Sequence, residues 1–424
     1  MRILYVTSSF PYGHGEAFLS AEVDELLRQG HELTIVPTLA RGGIVHADAR
    51  ALLSRTRRVS PFGQSVAASA VRAAGTRPAA SAGLLRDIAR SRSPRILAKN
   101  LAVTAKGHWL GELARADGAD HIHAHWGGTS ATIAMAASRV SGIPWSFTVH
   151  RWDIRERNLL REKALSASFV RAISEDGLDD LRQATGETAT PCFVLHMGVH
   201  LPAAAAGATG SHDAFRLLVP AGFLEVKGHV HLIDALRLLR DRGGPRIVAE
   251  LAGDGPLREP VARQIAAAGL DRDCLLLGQL PHEDLLRRLE AGEWDAVALA
   301  SVETASGEKE GIPVVFLEAM SHGLPVIGTA IGAIPELLGD ASGLLVPQRD
   351  AVALADAIER LALDSALART LGARGRLRVE REFAVESVVR ELVLRMAAAQ
   401  APAQRKSGAR RPSARSSRIR TRRR

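Results

Sequence analysis

The 424-residue sequence has little cysteine and no long apolar run. Its two cysteines, Cys192 and Cys274, lie in short apolar runs typical of strands. We interpret both as small buried hydrophobic side chains rather than as a disulfide or as metal ligands. No run reaches 18 apolar residues, so the sequence offers no transmembrane helix. The residues from Met1 to Val6 enter a strand pattern without a signal peptide's charged and apolar regions, which predicts a cytoplasmic protein.

Acidic residues are absent from the C-terminal tail, and this absence explains the charge of the chain. Residues 402–424 contain ten Lys or Arg, which exceeds the net charge of +9, so the remainder is close to neutral. Too few apolar residues are present for a core, and we predict that the tail is disordered. It would either attract an anionic lipid surface or nucleic acid, or remain a solvated extension. A second basic segment, from Arg41 to Leu110, has thirteen Lys or Arg against two acids.

Short apolar strands alternate with helices along most of the chain. In the first third, strands are predicted from Ile3 to Thr7 and from His31 to Pro37, around a helix from about Glu16 to Arg28. A second alternation runs from Phe215 to Val346. This pattern predicts α/β folding with parallel sheets, in which ligands bind beyond the carboxyl ends of the strands. A length of 424 residues with 46% apolar residues predicts two or three domains.

A glycine-containing loop follows the first strand. Gly13 and Gly15 have the spacing of a dinucleotide fingerprint, but the bulky Phe18 stands where close helix packing requires a small residue. No acid ends the second strand to bind a ribose. We therefore do not expect a nicotinamide enzyme. The loop either lets the backbone approach a bound diphosphate or forms an ordinary turn.

Three alternating histidines, His121, His123 and His125, fall on one face of a predicted strand. Their spacing is that of metal ligands, but no carboxylate or cysteine accompanies them in the sequence. We therefore predict a buried strand face and no metal. The one Asp-x-Asp segment, from Asp271 to Asp273, precedes a strand, which is the wrong end for a ligand in a parallel sheet, so we predict a surface loop.

The most informative stretch runs from Ala298 to Pro347. An apolar strand leads into a polar loop that contains Glu310, and Pro313 marks a helix start, because a proline in the first turn lacks only an N–H that would be unpaired there. Glu318 then lies inside the helix, about two turns after Glu310. Both carboxylates can face one cleft only if Glu310 remains in the loop.

These residues resemble a known family. The pair Glu310-x7-Glu318, the intervening Gly311-Ile312-Pro313, and the segment from Gly323 to Val326 are similar to the donor-site signature of retaining glycosyltransferases of family 4. The resemblance is specific in this stretch and coarse elsewhere. It implies two doubly wound, Rossmann-like domains that face one another across a cleft, the glycosyltransferase B architecture.

The resemblance and the composition together predict the domain boundaries. We expect an acceptor-side domain over residues 1–201, a small-residue linker over 202–213 and a donor domain over 214–376. A C-terminal helix over 377–400 is expected to return to the first domain. The disordered tail occupies 401–424.

The resemblance also implies roles for individual residues. Glu310 would face the reacting carbon and contact the hydroxyls of the donor sugar, His150 would lie close to that sugar, and Glu318 would bind the ribose hydroxyls. Lys227 follows a strand and a glycine turn that opens a helix, so its ammonium can meet the diphosphate. The expected catalytic residues are Glu310 and His150, and the expected donor-binding residues are Lys227, Gly222, Glu318, Gly311, Ile312, Gly15 and Gly255. The turn at Gly255 is equally compatible with an ordinary turn.

One position departs from the family pattern. Phe223 stands where the family usually has an arginine. The resemblance therefore implies either weaker donor binding or replacement of that cation by another, such as Lys309 or Arg151.

The resulting prediction is a metal-independent retaining glycosyltransferase that uses a UDP- or GDP-sugar and no cofactor, of the colanic-acid and exopolysaccharide branch. Its acceptor would be a sugar or a polyprenyl-linked sugar, and the basic segment would hold the protein peripherally at the inner, anionic face of the membrane. The alternatives are transfer to a soluble small molecule, and a non-catalytic protein that binds sugar nucleotides. Nucleic acid is not an expected partner.

Overall fold

A computed structural model describes residues 1–13, 15–43, 50–203 and 213–400. Within these ranges, twelve strands form two six-stranded sheets, and every strand pairing is parallel. Each sheet carries helices, which confirms the predicted α/β class with two doubly wound lobes. The predicted tail and most of the predicted linker lie outside the described residues.

The first lobe is built on a sheet with strand order β2-β1-β3-β4-β5-β6. The strands pack against helices that cover both faces. The strands are β1 (Arg2–Thr7), β2 (Glu32–Pro37), β3 (His121–Ala124), β4 (Trp145–Val149), β5 (Phe169–Ala172) and β6 (Cys192–Val194). The helices are α1 (Leu19–Arg28), α2 (Gln64–Thr76), α3 (Pro78–Ile88), α4 (Pro94–Ala116), α5 (Thr129–Ser141), α6 (Arg151–Glu156), α7 (Leu160–Ser166) and α8 (Glu175–Thr185), with a 3-10 turn at Leu52–Arg55.

The second lobe repeats the architecture with strand order β12-β11-β10-β7-β8-β9. Its strands are β7 (Phe215–Pro220), β8 (Ile247–Ala252), β9 (Cys274–Gly278), β10 (Ala296–Leu299), β11 (Val326–Thr329) and β12 (Leu344–Val346). Its helices are α9 (His229–Asp241), α10 (Arg258–Ala267), α11 (His282–Glu290), α12 (Val314–Ser321), α13 (Ile334–Leu338), α14 (Ala351–Leu363) and α15 (Ser365–Glu382), with a 3-10 turn at Glu225–Lys227. One more helix, α16 (Val385–Gln400), ends the described chain.

Central strands of both sheets are buried on both faces, which is why they read as continuous apolar runs. In β1, the residues from Ile3 to Val6 are at most 1% exposed, and all four residues of β10 are buried. Burial of this extent is the main stabilising term, at about 25 cal/mol for each Å² of apolar surface removed from water. The cores therefore lie between each sheet and its helices, and polar residues collect at the strand ends.

The last two helices divide between the lobes. Helix α15 packs against α12 of the second lobe, whereas α16 places Val385, Val389, Leu392 and Met396 in the core beneath the first sheet. Residue 377, where the returning helix was expected to begin, lies inside α15, which continues to Glu382. The chain crosses between the lobes at 383–384, where the backbones of Val199 and Phe383 hydrogen-bond at 2.9 Å.

Neither cysteine forms a disulfide. Cys274 is buried, and burial raises the pKa of its thiol to about 12, with help from Asp273 and Asp271. Cys192 is only half-buried, so the expectation of full burial holds for one thiol and not for the other. Among the described residues, no helix combines the length and the hydropathy that crossing a bilayer requires.

Candidate active site

A cleft of about 670 Å³ lies between the two lobes, at the carboxyl ends of the strands. In the second sheet, β7 and β10 are neighbours, and the chain leaves them toward opposite edges. Such a reversal opens a crevice at the carboxyl ends, where open α/β sheets bind their ligands. The turn after β7 carries Lys227 and the loop after β10 carries Glu310, so both residues stand at the same switch point.

Lys227 and Glu310 form an ion pair on the wall of this cleft. The Lys227 Nζ atom donates to Glu310 Oε2 at 2.7 Å, and the two side chains keep 21% and 15% of their surface exposed. Ser301 Oγ adds a 3.3 Å contact to the same carboxylate oxygen. The sequence prediction that Glu310 remains in the loop is confirmed, because α12 begins only at Val314, with Pro313 as its N-cap. An ammonium group that can bind a phosphate therefore lies next to a carboxylate that can accept hydrogen bonds from hydroxyl groups.

Two glycines allow the loops to come this close. Gly228 has φ +61°, and a Cβ atom there would lie 1.9 Å from the carbonyl oxygen of Ala300. Gly332 has φ +57°, and its Cβ would lie 1.9 Å from the carbonyl oxygen of Glu310. At both positions the backbone has a left-handed conformation, and a neighbouring carbonyl oxygen occupies the place of a Cβ atom. Only glycine tolerates this combination. Substitution of Gly228 or Gly332 would thus displace the strands' terminal loops and the ion pair with them.

His150 faces this pair from the first lobe. It is the first residue after β4, and its backbone N–H donates to Asp153 Oδ2 at 3.1 Å. The Trp126 ring lies against the imidazole, with ring centroids 4.4 Å apart, and both residues line the cleft. Burial lowers the pKa of His150 well below its usual value, and the nearby His125 and Arg171 act in the same direction. His150 is therefore neutral at neutral pH.

The start of α12 completes the second-lobe wall. Gly311 and Ile312 line the cleft, as expected, between Glu310 and the helix N-terminus. N–H groups at a helix start are unpaired within the helix and favour an anion or a hydroxyl oxygen. The structure thus brings together five of the predicted residues, namely His150, Lys227, Glu310, Gly311 and Ile312.

Glu318 lies outside this cavity's lining. It is 6% exposed, and its Oε1 atom accepts from His282 Nε2 at 2.6 Å. Its Oε2 atom is buried without a hydrogen-bond partner among the described residues. A buried carboxylate oxygen without a donor is costly, so this oxygen is suited to a hydroxyl group from a ligand. The pairing of Glu318 with His282 was not predicted, because α11 lies 36 residues away in the sequence.

The predicted glycines Gly222 and Gly255 also lie outside the lining of the cleft. A Cβ atom at Gly255 would lie 2.7 Å from the carbonyl oxygen of Phe223, and one at Gly222 would lie 3.4 Å from that of Asp254. These glycines therefore let the turns after β7 and β8 pack against each other. Their structural contribution is to hold the turn that leads to Lys227.

Phe223 packs into the core and does not reach the cleft. It is fully buried and stacks on His229, with ring centroids 4.5 Å apart. The two cations named as possible replacements for the missing family arginine, Lys309 and Arg151, both line the cleft. Each is paired with Asp176, Lys309 at 3.2 Å.

The glycine loop of the first lobe is occupied by a carboxylate of the chain itself. Glu16 accepts from the backbone N–H groups of Ser8, Ser9 and Phe10, at 3.0, 2.5 and 2.7 Å, and from the indole N–H of Trp126. Gly15 is exposed and does not line the cleft. Three N–H groups before the glycines are thus already used by Glu16, which favours an ordinary turn over a diphosphate site, and the same carboxylate holds Trp126 beside His150.

The sequence places no carboxylate beside the three histidines, but the fold brings one to two of them. Glu22 on α1 places an oxygen within 4.8 Å of ligand atoms of His123 and His125, and all three residues are buried. No sequence signal reveals this contact, because Glu22 lies about one hundred residues before the histidines.

Each of these potential ligand atoms already has a hydrogen-bond partner. His123 contacts Ser146 and Thr148, at 2.8 and 3.0 Å, while Glu22 accepts from Tyr5 and from the Arg171 guanidinium. A cation would have to displace these partners beside the fixed positive charge of Arg171. The arrangement is that of a saturated hydrogen-bond network.

The cleft is rich in positive charge beyond the predicted residues. Arg155 and Arg157 line it from the first lobe, and the Arg155 guanidinium donates across it to the carbonyl oxygen of Ser306. The exposed Trp152, three residues before Arg155 in the sequence, also lines it. These residues follow His150 in the chain, but nothing in their types or spacing identified them as part of the site.

Comparison with known proteins agrees with this geometry. Residues 209–378 match the family of glycosyl transferases group 1. The amylovoran biosynthesis glycosyltransferase AmsK of Erwinia amylovora is 37% identical over 183 residues, which is 43% of this chain and 44% of AmsK. The putative colanic acid biosynthesis glycosyltransferase WcaL of Escherichia coli K12 is 34% identical over 174 residues, 41% of this chain and 42% of WcaL. The matches span less than half the length of either relative.

Among solved structures, the crystal structure of Anabaena HepE in complex with UDP superposes with a TM-score of 0.71. It covers 94% of this chain and 100% of HepE, at 18% sequence identity. At that identity the likeness establishes the two-lobed fold. Residues 209–378 of this chain therefore match the glycosyl transferases group 1 family, and the described part of that range lies in the second lobe of a glycosyltransferase B fold, which confirms the resemblance first drawn from Glu310 and Glu318.

Proposed function

We propose that this protein transfers a sugar from a nucleoside diphosphate sugar to a hydroxyl acceptor, with retention of the anomeric configuration. The observation that carries the proposal is the Lys227–Glu310 pair, at 2.7 Å, on one wall of an interlobe cleft whose opposite wall holds His150. The cleft volume, about 670 Å³, is in the range of small-molecule sites.

The residues divide the chemistry between them. Lys227 would stabilise the charge that develops on the leaving diphosphate, because a fixed ammonium in a partly desolvated cleft needs no reorganisation. Glu310 would accept hydrogen bonds from sugar hydroxyls, since a carboxylate can accept from two neighbouring hydroxyls at once. The N–H groups at Gly311 and Ile312 can add contacts to oxygens of the donor.

We propose that the reaction requires no metal ion or cofactor. Five cationic side chains line the cleft, namely Arg151, Arg155, Arg157, Lys227 and Lys309, and they can neutralise a diphosphate directly. The Asp-x-Asp segment supports the same proposal, because it forms the turn just before β9, at the amino end of that strand. Activity that survives a chelator supports this part, and activity that disappears with EDTA and returns with Mg²⁺ or Mn²⁺ contradicts it.

The likeness to AmsK and WcaL supports a product class. Those relatives are named for amylovoran and colanic acid biosynthesis. We therefore propose that this protein adds a sugar during the assembly of an exopolysaccharide or of a lipid-linked oligosaccharide. The donor would be a UDP- or GDP-sugar.

A lipid-linked acceptor is supported by three exposed apolar side chains in or just before helices α2 and α3 of the first lobe, here together named the α2–α3 face. Phe62, Val71 and Leu85 are 79%, 74% and 51% exposed. Several arginines of the basic segment surround them in sequence and have no ion-pair partner among the described residues, including Arg77 and Arg86. Exposed apolar side chains with neighbouring cations are suited to an anionic lipid surface.

Part of the basic segment is neutralised within the fold. Lys106 is buried and donates to three backbone carbonyls, while Arg72 pairs with Glu112 and Lys99 with Glu156. The α2–α3 face is therefore less basic than the count of thirteen cations suggests. Its apolar residues must contribute a larger share of any membrane affinity.

A ligand panel tests the proposed function. Thermal unfolding is measured with UDP, GDP and ADP and with UDP-glucose, UDP-N-acetylglucosamine and GDP-mannose, followed by an assay of donor hydrolysis without acceptor. A ligand at one hundred times its Kd stabilises by about 2.7 kcal/mol, which is readily measured. We expect one nucleotide series to stabilise the protein and Lys227→Met to remove the effect. If no nucleotide stabilises the wild-type protein, the proposal is wrong; binding without any turnover of any donor would favour the non-catalytic alternative.

A further inference from the structure

A chain of buried hydrogen bonds connects the first-lobe core to His150. Glu22 Oε1 accepts from the Tyr5 hydroxyl at 2.5 Å, and that hydroxyl contacts His125 Nδ1 at 2.8 Å. His125 Nε2 in turn lies 2.9 Å from His150 Nε2. Glu22, Tyr5 and His125 are completely buried, and only His150 reaches the cleft. The alternating histidine motif thus has a member that ends on the candidate active site.

The proton positions in this chain follow from Glu22. Burial alone would raise the pKa of Glu22, but the Arg171 guanidinium, 2.6 Å from Oε2, holds it well below its usual value, and the neighbouring His125 acts in the same direction. An ionised carboxylate only accepts hydrogen bonds, so the Tyr5 hydroxyl must donate its one proton to it. Burial and the Glu22 charge raise the pKa of Tyr5, so that proton stays on the hydroxyl.

The Tyr5–Glu22 hydrogen bond then determines the donor and the acceptor in each of the following hydrogen bonds. Because the Tyr5 hydroxyl donates its only proton to Glu22, its oxygen can only accept a hydrogen bond from His125. His125 therefore donates that hydrogen bond from Nδ1–H. With its single proton on Nδ1, His125 has a bare Nε2, which accepts a hydrogen bond from His150 Nε2–H. His150 is left with a bare Nδ1. Each step is assigned from the hydrogen-bond partners, starting at one fixed charge.

We propose that Glu22, Tyr5 and His125 are positioning residues that fix His150 as the neutral tautomer with its proton on Nε2. The ring, which lines the cleft, then carries on Nδ1 a permanent hydrogen-bond acceptor that is suited to a hydroxyl of the bound sugar. Without the chain, the imidazole could exchange tautomers and present a donor in the same place. This inference rests on the proposed function for the identity of the ligand, whereas the tautomer itself does not depend on it.

The tautomer is measured on the free, full-length protein. Histidine labelled with ¹⁵N is observed in a two-bond ¹H–¹⁵N correlation spectrum, and His150 is assigned from the spectrum of His150→Gln. We expect His150 to show a protonated Nε2 and a bare Nδ1 at neutral pH. A proton on His150 Nδ1, or a His125 ring protonated on both nitrogens, overturns the inference.

Tyr5→Phe and Ser146→Ala form a matched pair of variants. Each removes one buried hydroxyl that bridges two groups of the first sheet, Tyr5 between Glu22 and His125, and Ser146 between His121 and His123 at 2.8 Å each. Only the Tyr5 hydroxyl belongs to the chain that reaches His150. We expect Tyr5→Phe to shift His150 toward the Nδ1-protonated form and Ser146→Ala to leave it unchanged. The same response in both variants overturns the inference.

Turnover gives a second measurement. We expect Tyr5→Phe to lower kcat about tenfold, which corresponds to the loss of one hydrogen bond in the transition state, with the donor KM changed less than about twofold. Ser146→Ala should stay within about twofold of wild type. If Tyr5→Phe does not fold, His125→Leu removes the acceptor for His150 directly and should shift the same tautomer. If the wild-type protein turns over no donor, the proposed function fails, and the spectrum of the free protein still decides the inference.

Discussion

The ion pair between Lys227 and Glu310 permits a test in which two substitutions of one contact have opposite effects. Without donor, the Lys227 ammonium is held by the Glu310 carboxylate at 2.7 Å, in a cleft where both side chains are largely buried. A diphosphate that binds there must share or take over the ammonium. We therefore expect Glu310 to compete with the nucleotide for Lys227, although in the proposed function both residues would be needed for turnover.

The magnitudes follow from the charges. Lys227→Met removes a charge-assisted hydrogen bond to the diphosphate, which contributes about 1.5 to 3 kcal/mol, so the Kd for the nucleoside diphosphate should rise about 10- to 150-fold. Glu310→Gln removes a competing negative charge and leaves the ammonium free. Its Kd for the nucleoside diphosphate should stay the same or fall, while kcat for sugar transfer falls at least about tenfold, because the carboxylate no longer faces the sugar.

The assay is titration calorimetry with the nucleoside diphosphate identified in the ligand panel, followed by steady-state transfer or hydrolysis of the corresponding sugar nucleotide. Arg242→Met serves as the control, because it removes an exposed ion pair with Asp356 on the second lobe, and both residues lie outside the lining of the cleft. The reasoning is refuted if Lys227→Met and Glu310→Gln weaken nucleotide binding equally. That result would make the pair a structural contact whose loss disturbs the loop.

Three further predictions concern other parts of the chain. Glu318→Gln should raise the donor KM at least about fivefold with kcat little changed, because Oε2 has no donor among the described residues until a ligand hydroxyl reaches it; an unchanged KM in steady-state kinetics would contradict the assignment. Burial raises the pKa of Glu336 to about 7, although the Glu175 backbone N–H opposes this shift. The free energy of unfolding should therefore fall by at most about 3 kcal/mol as the pH rises from about 4.5 to 7. Glu336→Gln should therefore raise Tm more at pH 8 than at pH 5, and the reverse order in calorimetry would show that the ionised form is the stabilising one. Phe62→Asp combined with Val71→Asp should abolish sedimentation with phosphatidylglycerol vesicles in a chain truncated after Gln400, while phosphatidylcholine vesicles bind neither form; unchanged sedimentation would remove the α2–α3 face as the membrane contact and favour a soluble acceptor.

The second lobe could be predicted closely because its site lies in one continuous stretch. The strand before Glu310, the loop that holds it and the proline-marked start of α12 follow one another within about twenty residues, so local rules were sufficient. The predicted alternation begins at Phe215 and ends at Val346, and these are the first residue of β7 and the last residue of β12. Lys227 was also recognisable, since a strand, a glycine turn and a helix start occur in order.

Contacts between distant segments could not be predicted from the same rules. Glu318 was expected to share the cleft with Glu310, but its side chain is held by His282, and this depends on how α11 packs against α12. Gly15 was expected near a phosphate, but the neighbouring Glu16 occupies the N–H groups of its loop. In each case a side chain from the same protein makes a contact that the local pattern does not indicate, His282 with one Glu318 oxygen and Glu16 with three N–H groups before Gly15.

The first-lobe contribution to the cleft is the clearest case of chemistry that no single segment encodes. His150 follows the end of β4, its ring lies against that of Trp126, and its Nε2 is hydrogen-bonded with His125. Those contacts in turn depend on Glu16, Glu22 and Arg171, which come from three other segments of the chain. A histidine at the end of a strand is therefore a weak signal in sequence, because the same residue without these partners would be an ordinary polar side chain. We propose that the buried Glu22 carboxylate on α1, which Arg171 on β5 keeps ionised, determines which of the two His150 nitrogens carries a proton. That dependence on Glu22 distinguishes His150 from other histidines at strand ends.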